Sequence, residues 1–118
     1  MADRRLMMAF AHPDDESHLA GSTIVRYAAE GAEVIVVITT RGEAGEIAPG
    51  VDAPPENLGE VREAELRASM NVTGASLEML DYRDSGMAGT SENDDPCAFV
   101  QASESQVIGE LVDVMRKH

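Results

Sequence analysis

The sequence predicts an α/β fold in which a mostly parallel sheet is covered by helices on both faces. Apolar runs of strand length alternate with helical patterns along the chain, and this alternation is typical of parallel βαβ units. A chain of 118 residues with 43% hydrophobic composition is the size of one domain and has enough apolar residues for a core. Three βα units can be recognised, with no other internal repeat.

The first unit opens with an apolar run over residues 5–11, which predicts a strand buried on both faces and therefore central in its sheet. A helical pattern over residues 17–30 follows, with Gly31 as its C-terminal stop. The second strand is predicted over residues 33–39, where β-branched residues are continuous. The inner face of the helix is predicted to consist of Ile24, Tyr27 and Ala28.

A long loop over residues 40–55 is predicted next, and loops of this length in a compact domain are often functional. We expect residues 41–46 to be functional, because they directly follow the end of a strand, and residues 48–55 to be a tolerated surface insertion. The second helix is predicted over residues 58–72 with Asn57 as N-cap, before a short strand over 77–81. Its predicted inner face consists of Val61, Ala64, Ala68 and Val72.

A second long loop is predicted over residues 82–96, with a polar run at 91–95 that is expected to be mobile. The third helix is predicted to begin at a capping box formed by Ser103 and Gln106. Its apolar stripe is predicted to consist of Val107, Ile108, Leu111, Val112 and Met115.

Three βα units predict a strand order of 3-2-1-4 in a doubly wound sheet, and the fourth strand is missing from this chain. Without it, strand one has a bare edge, which soluble proteins avoid. We therefore expect residues 1–118 to be the N-terminal portion of a longer domain, or the edge to be covered by another chain.

The formal charge of −13 argues against nucleic acid and anionic membrane surfaces as partners, because both require a positive patch. The single cysteine, Cys97, excludes an intrachain disulfide and is expected to be a small buried residue rather than a nucleophile. The apolar run after residues 1–5 is too short for a signal peptide or a membrane span. We therefore expect a cytoplasmic protein.

The chemistry is expected where the first strand ends, at Ala11-His12-Pro13-Asp14-Asp15-Glu16. Imidazole and carboxylate are ordinary zinc ligands, and a tight turn stiffened by Pro13 would direct His12 and Asp15 to one point while Asp14 lies between them. The alternative is that these acids only cap a helix, although capping leaves His12 unexplained. A magnesium site for phosphoryl chemistry is a further alternative, disfavoured because imidazole is a poor magnesium ligand.

The motif Ala-His-Pro-Asp-Asp-Glu-Ser after an N-terminal strand resembles the signature of the LmbE-like, or PIG-L, family of zinc-dependent de-N-acetylases. The resemblance continues through three further blocks and is greatest to the branch that deacetylates the mycothiol precursor or cleaves mycothiol conjugates. These blocks are Thr40-Arg41-Gly42-Glu43-Ala44-Gly45-Glu46, Arg62-Glu63-Ala64-Glu65-Leu66 and Arg83-Asp84-Ser85-Gly86-Met87-Ala88-Gly89-Thr90.

The resemblance implies a Rossmann-like three-layer sandwich that hydrolyses the amide of an N-acetylated amino sugar, a small-molecule substrate. It implies His12 and Asp15 as ligands of zinc, with iron as a possible substitute, and Asp14 as general base and acid. The third ligand in the family belongs to a His-x-Asp-His segment after the fourth strand, which this chain lacks; His18 and His118 are expected to be exposed histidines instead. We therefore expect weak metal retention and little activity from the 118-residue chain alone.

The resemblance also implies four substrate contacts, two of which have structural alternatives. Arg62 could instead pair with Glu63 or Glu65 on an exposed helix face, and Asp84 could cap the turn at Ser85 and Gly86. A non-catalytic fragment or binding module remains the alternative to an enzyme, and self-association through the bare strand edge remains open. The four implied contacts are Glu46, Arg62, Asp84 and Met87.

Overall fold

The computed structural model describes residues 3–50 and 55–118, and over these residues it contains three strands and three long helices. In chain order they are β1 (Arg5–Phe10), α1 (Asp15–Ala29), β2 (Glu33–Ile38), α2 (Leu58–Thr73), β3 (Ser76–Met79) and α3 (Glu104–Lys117). Short 3-10 helices cover Pro55–Asn57, Ser91–Asp94 and Phe99–Gln101.

The sheet is parallel in the order β1-β2-β3, so the predicted order 3-2-1 is confirmed. Phe10 pairs with Ile38, and Ile38 pairs with Met79, so the carboxyl ends of all three strands lie at one edge of the sheet. Within this chain β2 is the central strand, and β1 has the bare edge that is expected without a fourth strand. The expectation that β1 is buried on both faces is wrong over the described residues. Over the described residues, β1 pairs only with β2, and its side chains are partly buried or exposed.

Helices cover both faces of the sheet, which confirms the predicted three-layer architecture. Alternate residues of β2 point to opposite faces, as the two-residue period of a strand requires. One core contains Val34, Val36 and Ile38 of β2 with Ile24 of α1 and Leu66 and Met70 of α2. The second core contains Ile35 and Val37 of β2 with Val114 of α3.

The predicted inner faces of the helices are partly wrong. On α2 the buried residues are Leu58, Gly59, Leu66 and Met70, whereas Ala64, Ala68 and Val72 are exposed. On α1 the prediction holds for Ile24 and Ala28, but Tyr27 lies at the surface, where the Arg4 guanidinium is 5.9 Å from its ring centroid. On α3 the buried stripe passes through Leu111 and Val114, and Ile108 and Met115 are exposed.

Helix ends and loops also differ from the sequence predictions. Helix α1 begins two residues earlier than predicted, and the N-caps Asn57 and Ser103 make no side-chain cap hydrogen bond. The segment expected to be mobile forms the 3-10 helix Ser91–Asp94, where Asn93 Nδ2 donates to the Ser85 carbonyl at 2.7 Å. The predicted insertion lies partly outside the described residues, since 51–54 are not among them.

The location of Cys97 also differs from the prediction. Cys97 is exposed rather than buried, because it lies in the surface loop before the last 3-10 helix. No helix in residues 3–50 and 55–118 combines the length and the apolar character that crossing a membrane requires.

Candidate metal and substrate site

The candidate site is built where β1 and β2 end. Thr39 and Thr40 follow β2, and both hydroxyls donate to the Ala11 carbonyl, at 3.0 and 2.9 Å. Two side-chain donors on one carbonyl fix the chain immediately before His12. The turn that follows therefore leaves the sheet from a rigid point.

His12 and Asp15 lie together across this turn. The backbone N–H of His12 donates to Asp15 Oδ2 at 3.0 Å, and His12 Nδ1 lies 3.4 Å from the same oxygen. The predicted convergence of these two side chains is therefore observed. The alternative that the acids only cap a helix does not describe Asp15, whose carboxylate reaches back to His12.

Asp14 is the N-cap of α1 and has an unusual backbone conformation. Its φ of +82° is the only positive value among the described non-glycine residues. Its side chain makes no cap hydrogen bond, so capping does not account for it. A left-handed non-glycine residue is strained, and such residues concentrate at functional sites.

Arg62 of α2 holds this turn from the side. Its Nη2 donates to the Pro13 carbonyl at 2.7 Å and its Nη1 to the Gly42 carbonyl at 3.0 Å. Nη2 also lies 3.8 Å from Asp14 Oδ2. The alternative pairing of Arg62 with Glu63 is not the observed arrangement, because Glu63 instead accepts a hydrogen bond from Arg41 at 2.8 Å.

Asp84 connects three separate segments at the bottom of the site. Its Oδ1 lies 3.1 Å from His12 Nε2 and accepts the Gly86 N–H at 3.1 Å, while Oδ2 accepts the Ala44 N–H at 3.2 Å. The turn-capping alternative for Asp84 is therefore correct as far as Gly86 is concerned. The contacts with His12 and Ala44 go beyond it.

These side chains surround a cleft of about 350 Å³. Six of the seven predicted site residues line it, and Asp14 lies instead on an adjoining cleft of about 370 Å³ that shares Gly45, Glu46 and Arg62 with the first. Met87 is 78% exposed, at the rim. The lining residues of the first cleft are His12, Asp15, Ala44, Gly45, Glu46, Arg62, Asp84, Gly86 and Met87.

The side chains that line the cleft could bind a cation, because their carboxylates are negatively charged and carboxylate and imidazole groups are common metal ligands. Asp15, Glu46 and Asp84 supply carboxylates and His12 an imidazole, whereas Arg62 is the cationic side chain in the lining. Imidazole and carboxylate together suit zinc and iron. Within residues 3–50 and 55–118, however, no group of three or more His, Cys, Asp or Glu side chains is arranged to hold a metal ion.

Two supporting residues were not predicted from the sequence. Glu43 Oε1 accepts the Arg41 N–H at 2.9 Å and the Asp84 N–H at 3.4 Å, and so links the two long loops. Glu16 is 1% exposed on the inner side of α1, and its Oε1 accepts the Ser17 hydroxyl at 3.2 Å. Neither role could be recognised in the sequence, because a glutamate in a loop, such as Glu43, or at the start of a helix, such as Glu16, is usually exposed to solvent.

The two remaining histidines lie away from the cleft. His18 is exposed on α1, as expected. His118 is partly buried rather than exposed, and its ring nitrogens lie 3.2 Å from Glu33 Oε1 and 2.8 Å from Glu78 Oε1.

Curated relatives match nearly the whole chain. The 1D-myo-inositol 2-acetamido-2-deoxy-alpha-D-glucopyranoside deacetylase of Rhodococcus jostii is 42% identical over 99% of this chain and 44% of its own length. The protein of the same name from Thermobispora bispora is 43% identical over 99% of this chain and 42% of its own. The chain thus spans less than half the length of these relatives.

Solved structures share the fold. N,N'-diacetylchitobiose deacetylase from Pyrococcus horikoshii has a TM-score of 0.61 and 29% identity, covering 70% of this chain and 30% of its own. GalB, the 4-carboxy-2-hydroxymuconate hydratase from Pseudomonas putida KT2440, has a TM-score of 0.70 and 26% identity, covering 97% of this chain and 43% of its own. The fold is therefore found in proteins named for two different reactions.

The family comparison agrees with the motif at the end of β1. Residues 7–118 match the family described as PIG-L: GlcNAc-PI de-N-acetylase. The matched range includes His12, Asp14 and Asp15 and both long loops. The chain belongs to the PIG-L family of de-N-acetylases.

Proposed function

We propose that residues 1–118 are the N-terminal part of a single deacetylase domain that removes the acetyl group from an N-acetylated amino sugar. The observation that carries this proposal is the turn at the end of β1, where His12 and Asp15 meet within 3.4 Å and Asp14 lies between them in the chain. The names of the curated relatives and of the chitobiose deacetylase support the amino-sugar substrate.

We infer that His12 and Asp15 hold a divalent cation, zinc or alternatively iron. When bound, such an ion lowers the pKa of a water molecule and polarises an amide carbonyl. An imidazole ligand favours these metals over magnesium, which prefers oxygen. A third protein ligand would come from outside the residues described here.

Asp14 is suited to handling protons in this reaction. Its side chain is 63% exposed, so it is free to contact substrate and water, and Arg62 Nη2 lies 3.8 Å from its Oδ2. In amide hydrolysis a carboxylate accepts a proton from the attacking water and returns it to the departing nitrogen as the C–N bond breaks. The water oxygen forms the new C–O bond, one of its protons goes to the amine nitrogen and the other stays on the new carboxyl group, so the products are acetic acid and the free amine, which become acetate and ammonium at neutral pH.

The cleft offers the contacts that a sugar requires. Glu46 and Asp84 present carboxylates to hydroxyl groups, and the exposed Met87 presents an apolar surface to a ring. Arg62 lies at the boundary of the two clefts. Two of its N–H groups donate to the backbone carbonyls of Pro13 and Gly42, and the others could donate to a hydroxyl or a phosphate of the substrate. We therefore propose a small amino-sugar conjugate as substrate, and a cytoplasmic location where such metabolites occur.

A non-catalytic module is the second candidate function. It is favoured by the share of the relatives' length that this chain spans, 44% for the Rhodococcus jostii protein. Such a module would bind a ligand in the cleft without turnover, or pair with another chain along the edge of β1 that no strand of the described residues covers.

A chimera tests the proposed activity directly. Residues 1–118 replace the matched segment of the Rhodococcus jostii deacetylase, and the chimera is incubated with zinc and 1D-myo-inositol 2-acetamido-2-deoxy-α-D-glucopyranoside. Release of primary amine is measured. This readout distinguishes deacetylation from hydration, the reaction for which GalB is named, because hydration releases no amine. We expect amine release from the chimera and little from the 118-residue chain alone.

The matched variant is Asp14→Asn in the same chimera. We expect it to retain zinc and to lose turnover by about 10²-fold or more, since the proton-transfer group is removed. A folded, zinc-containing chimera without amine release would favour the non-catalytic module. Full turnover by Asp14→Asn would show that Asp14 does not handle the proton.

A further inference from the structure

The imidazole of His12 lies between two carboxylates, one on each ring nitrogen. Nδ1 faces Asp15, with Oδ2 at 3.4 Å, and Nε2 faces Asp84, with Oδ1 at 3.1 Å. We propose that Asp84 is a positioning residue that keeps the His12 proton on Nε2, so that Nδ1 is left to bind the cation shared with Asp15. This inference rests on the metal role proposed above for His12 and Asp15.

The assignment of the nitrogens follows from the contacts. A neutral imidazole has one N–H and one free lone pair, and only the lone pair can bind a metal ion. Nδ1 is the nitrogen on the side of Asp15, the other proposed ligand. Nε2 therefore keeps the proton, and its N–H donates a hydrogen bond to Asp84 Oδ1.

Asp84 is held as a fixed acceptor. Its side chain is only 7% exposed, and both of its oxygens also accept backbone N–H groups, from Gly86 and Ala44. Rotation of the carboxylate would break these bonds. His12 must therefore orient to Asp84, and not the reverse.

A fixed carboxylate of this kind has a known physical effect on a metal ligand. It fixes the tautomer and the ring orientation and raises the basicity of the other nitrogen, and its removal typically weakens metal affinity by 10–100-fold. The first long loop, through Ala44, and the second, through Gly86, both set the position of Asp84. The loops that shape the substrate cleft thus also determine how His12 is presented.

The tautomer is measured on the unmodified 118-residue chain, without metal. Long-range ¹H–¹⁵N spectra of ¹⁵N-histidine-labelled protein distinguish protonated from unprotonated ring nitrogens, at a pH where the ring is neutral. We expect His12 with its proton on Nε2. A proton on Nδ1 would overturn the proposal, and this result does not depend on any variant folding.

Variants of the chimera then test the role of Asp84 by titration with Zn²⁺. We expect Asp84→Ala to weaken the zinc Kd by about 10–100-fold and to give mixed tautomers of His12. Asp84→Asn keeps an oxygen acceptor for Nε2–H, so it should restore the tautomer. Glu43→Ala is the matched control, because it removes a bond to the same loop junction without touching His12.

The outcomes separate this inference from the proposed function. If His12→Ala leaves zinc affinity unchanged, the metal role itself fails. If His12→Ala abolishes binding but Asp84→Ala and Glu43→Ala weaken it equally, Asp84 acts only through the loops and the positioning role is wrong.

Discussion

Arg62 Nη2 donates a hydrogen bond of 2.7 Å to the backbone carbonyl of Pro13, and so joins the second helix to the turn that bears the candidate ligands. The same guanidinium binds the Gly42 carbonyl in the first long loop at 3.0 Å. A planar fork of donors can reach two acceptors at fixed angles, which an ammonium group cannot do. Arg62 therefore has a structural role in the turn besides any contact with substrate.

Truncation of this arginine should destabilise the chain. Arg62→Ala leaves two carbonyls without their charged donor, and we expect the free energy of unfolding to fall by roughly 2–3 kcal/mol. Urea unfolding followed by circular dichroism measures this change. Arg67→Ala is the control on the same helix, because its pair with Glu63 is 3.6 Å long and its side chain is 57% exposed. Equal losses in both variants would show that the contacts with Pro13 and Gly42 contribute little.

A methyl group at Gly42 should disrupt the same clamp. Gly42 has a φ of +66°, and a Cβ there would collide with the Arg62 guanidinium. Gly89 has a φ of +84° with no atom within 4 Å of its Cβ position, so Gly89→Ala tests backbone strain alone. We expect Gly89→Ala to lose about 1 kcal/mol and Gly42→Ala clearly more. Similar melting temperatures for the two variants would contradict the close approach of Arg62.

The left-handed backbone of Asp14 predicts a difference in stability between two substitutions at this position. Asp14→Gly and Asp14→Ala both remove the carboxylate, but only glycine adopts a φ of +82° without a steric penalty. We therefore expect the glycine variant to be more stable than the alanine variant by about 1 kcal/mol. Thermal unfolding of the two proteins in one buffer measures the difference. A more stable alanine variant would mean that Asp14 is not held in the left-handed conformation.

Much of the fold could be predicted from the sequence, because strand and helix periods are local. The continuous β-branched run of β2 and the glycine after α1 predict their elements directly. The inner face of α2 was predicted wrongly because Val61 and Ala64 suggested an apolar stripe. The buried apolar side chains are instead Leu58, Leu66 and Met70, and the partly buried Arg62 lies on the same side, between Leu58 and Leu66. A charged residue on an inner face cannot be recognised until its acceptors are known.

In the candidate site, too, local contacts could be predicted from the sequence and long-range contacts could not. The spacing of His12 and Asp15 around a proline predicts their convergence, since both lie in one short turn. The contact of His12 with Asp84 joins residues 72 positions apart, and it depends on the paths of two long loops that have no regular period. Such contacts follow from tertiary structure and not from local pattern.

The end of α3 should make stability depend on pH. The hydrogen bond to Glu78, and to a smaller extent the one to Glu33, raises the pKa of His118 above its usual value of 6.5. The protonated form is therefore favoured in the folded state, so its stabilising contribution is full below pH 6.5 and is lost as pH rises through the folded-state pKa.

The His118→Gln variant measures this contribution. We expect it to lose more stability, relative to the parent, at about pH 6 than at about pH 9, as judged from urea unfolding. Hydrogen bonds with Lys117, and to a smaller extent with His118, lower the pKa of Glu78. The ionised Glu78 therefore contributes to the stability of the fold above pH 4.5, and this contribution is lost as pH falls through the folded-state pKa. A loss in His118→Gln that is equal at both pH values would contradict this arrangement.

In the proposed site, His12 and Asp15 together bind a divalent cation while Asp14 stays free of it. Isothermal titration of the chimera with Zn²⁺ measures this binding, with His18→Ala as the control for a histidine outside the cleft. We expect His12→Ala and Asp15→Ala each to abolish the titratable site, and Asp14→Asn and His18→Ala to retain it with the Kd of the parent. Zinc binding that survives both His12→Ala and Asp15→Ala, or that is lost in Asp14→Asn, would contradict the proposed site.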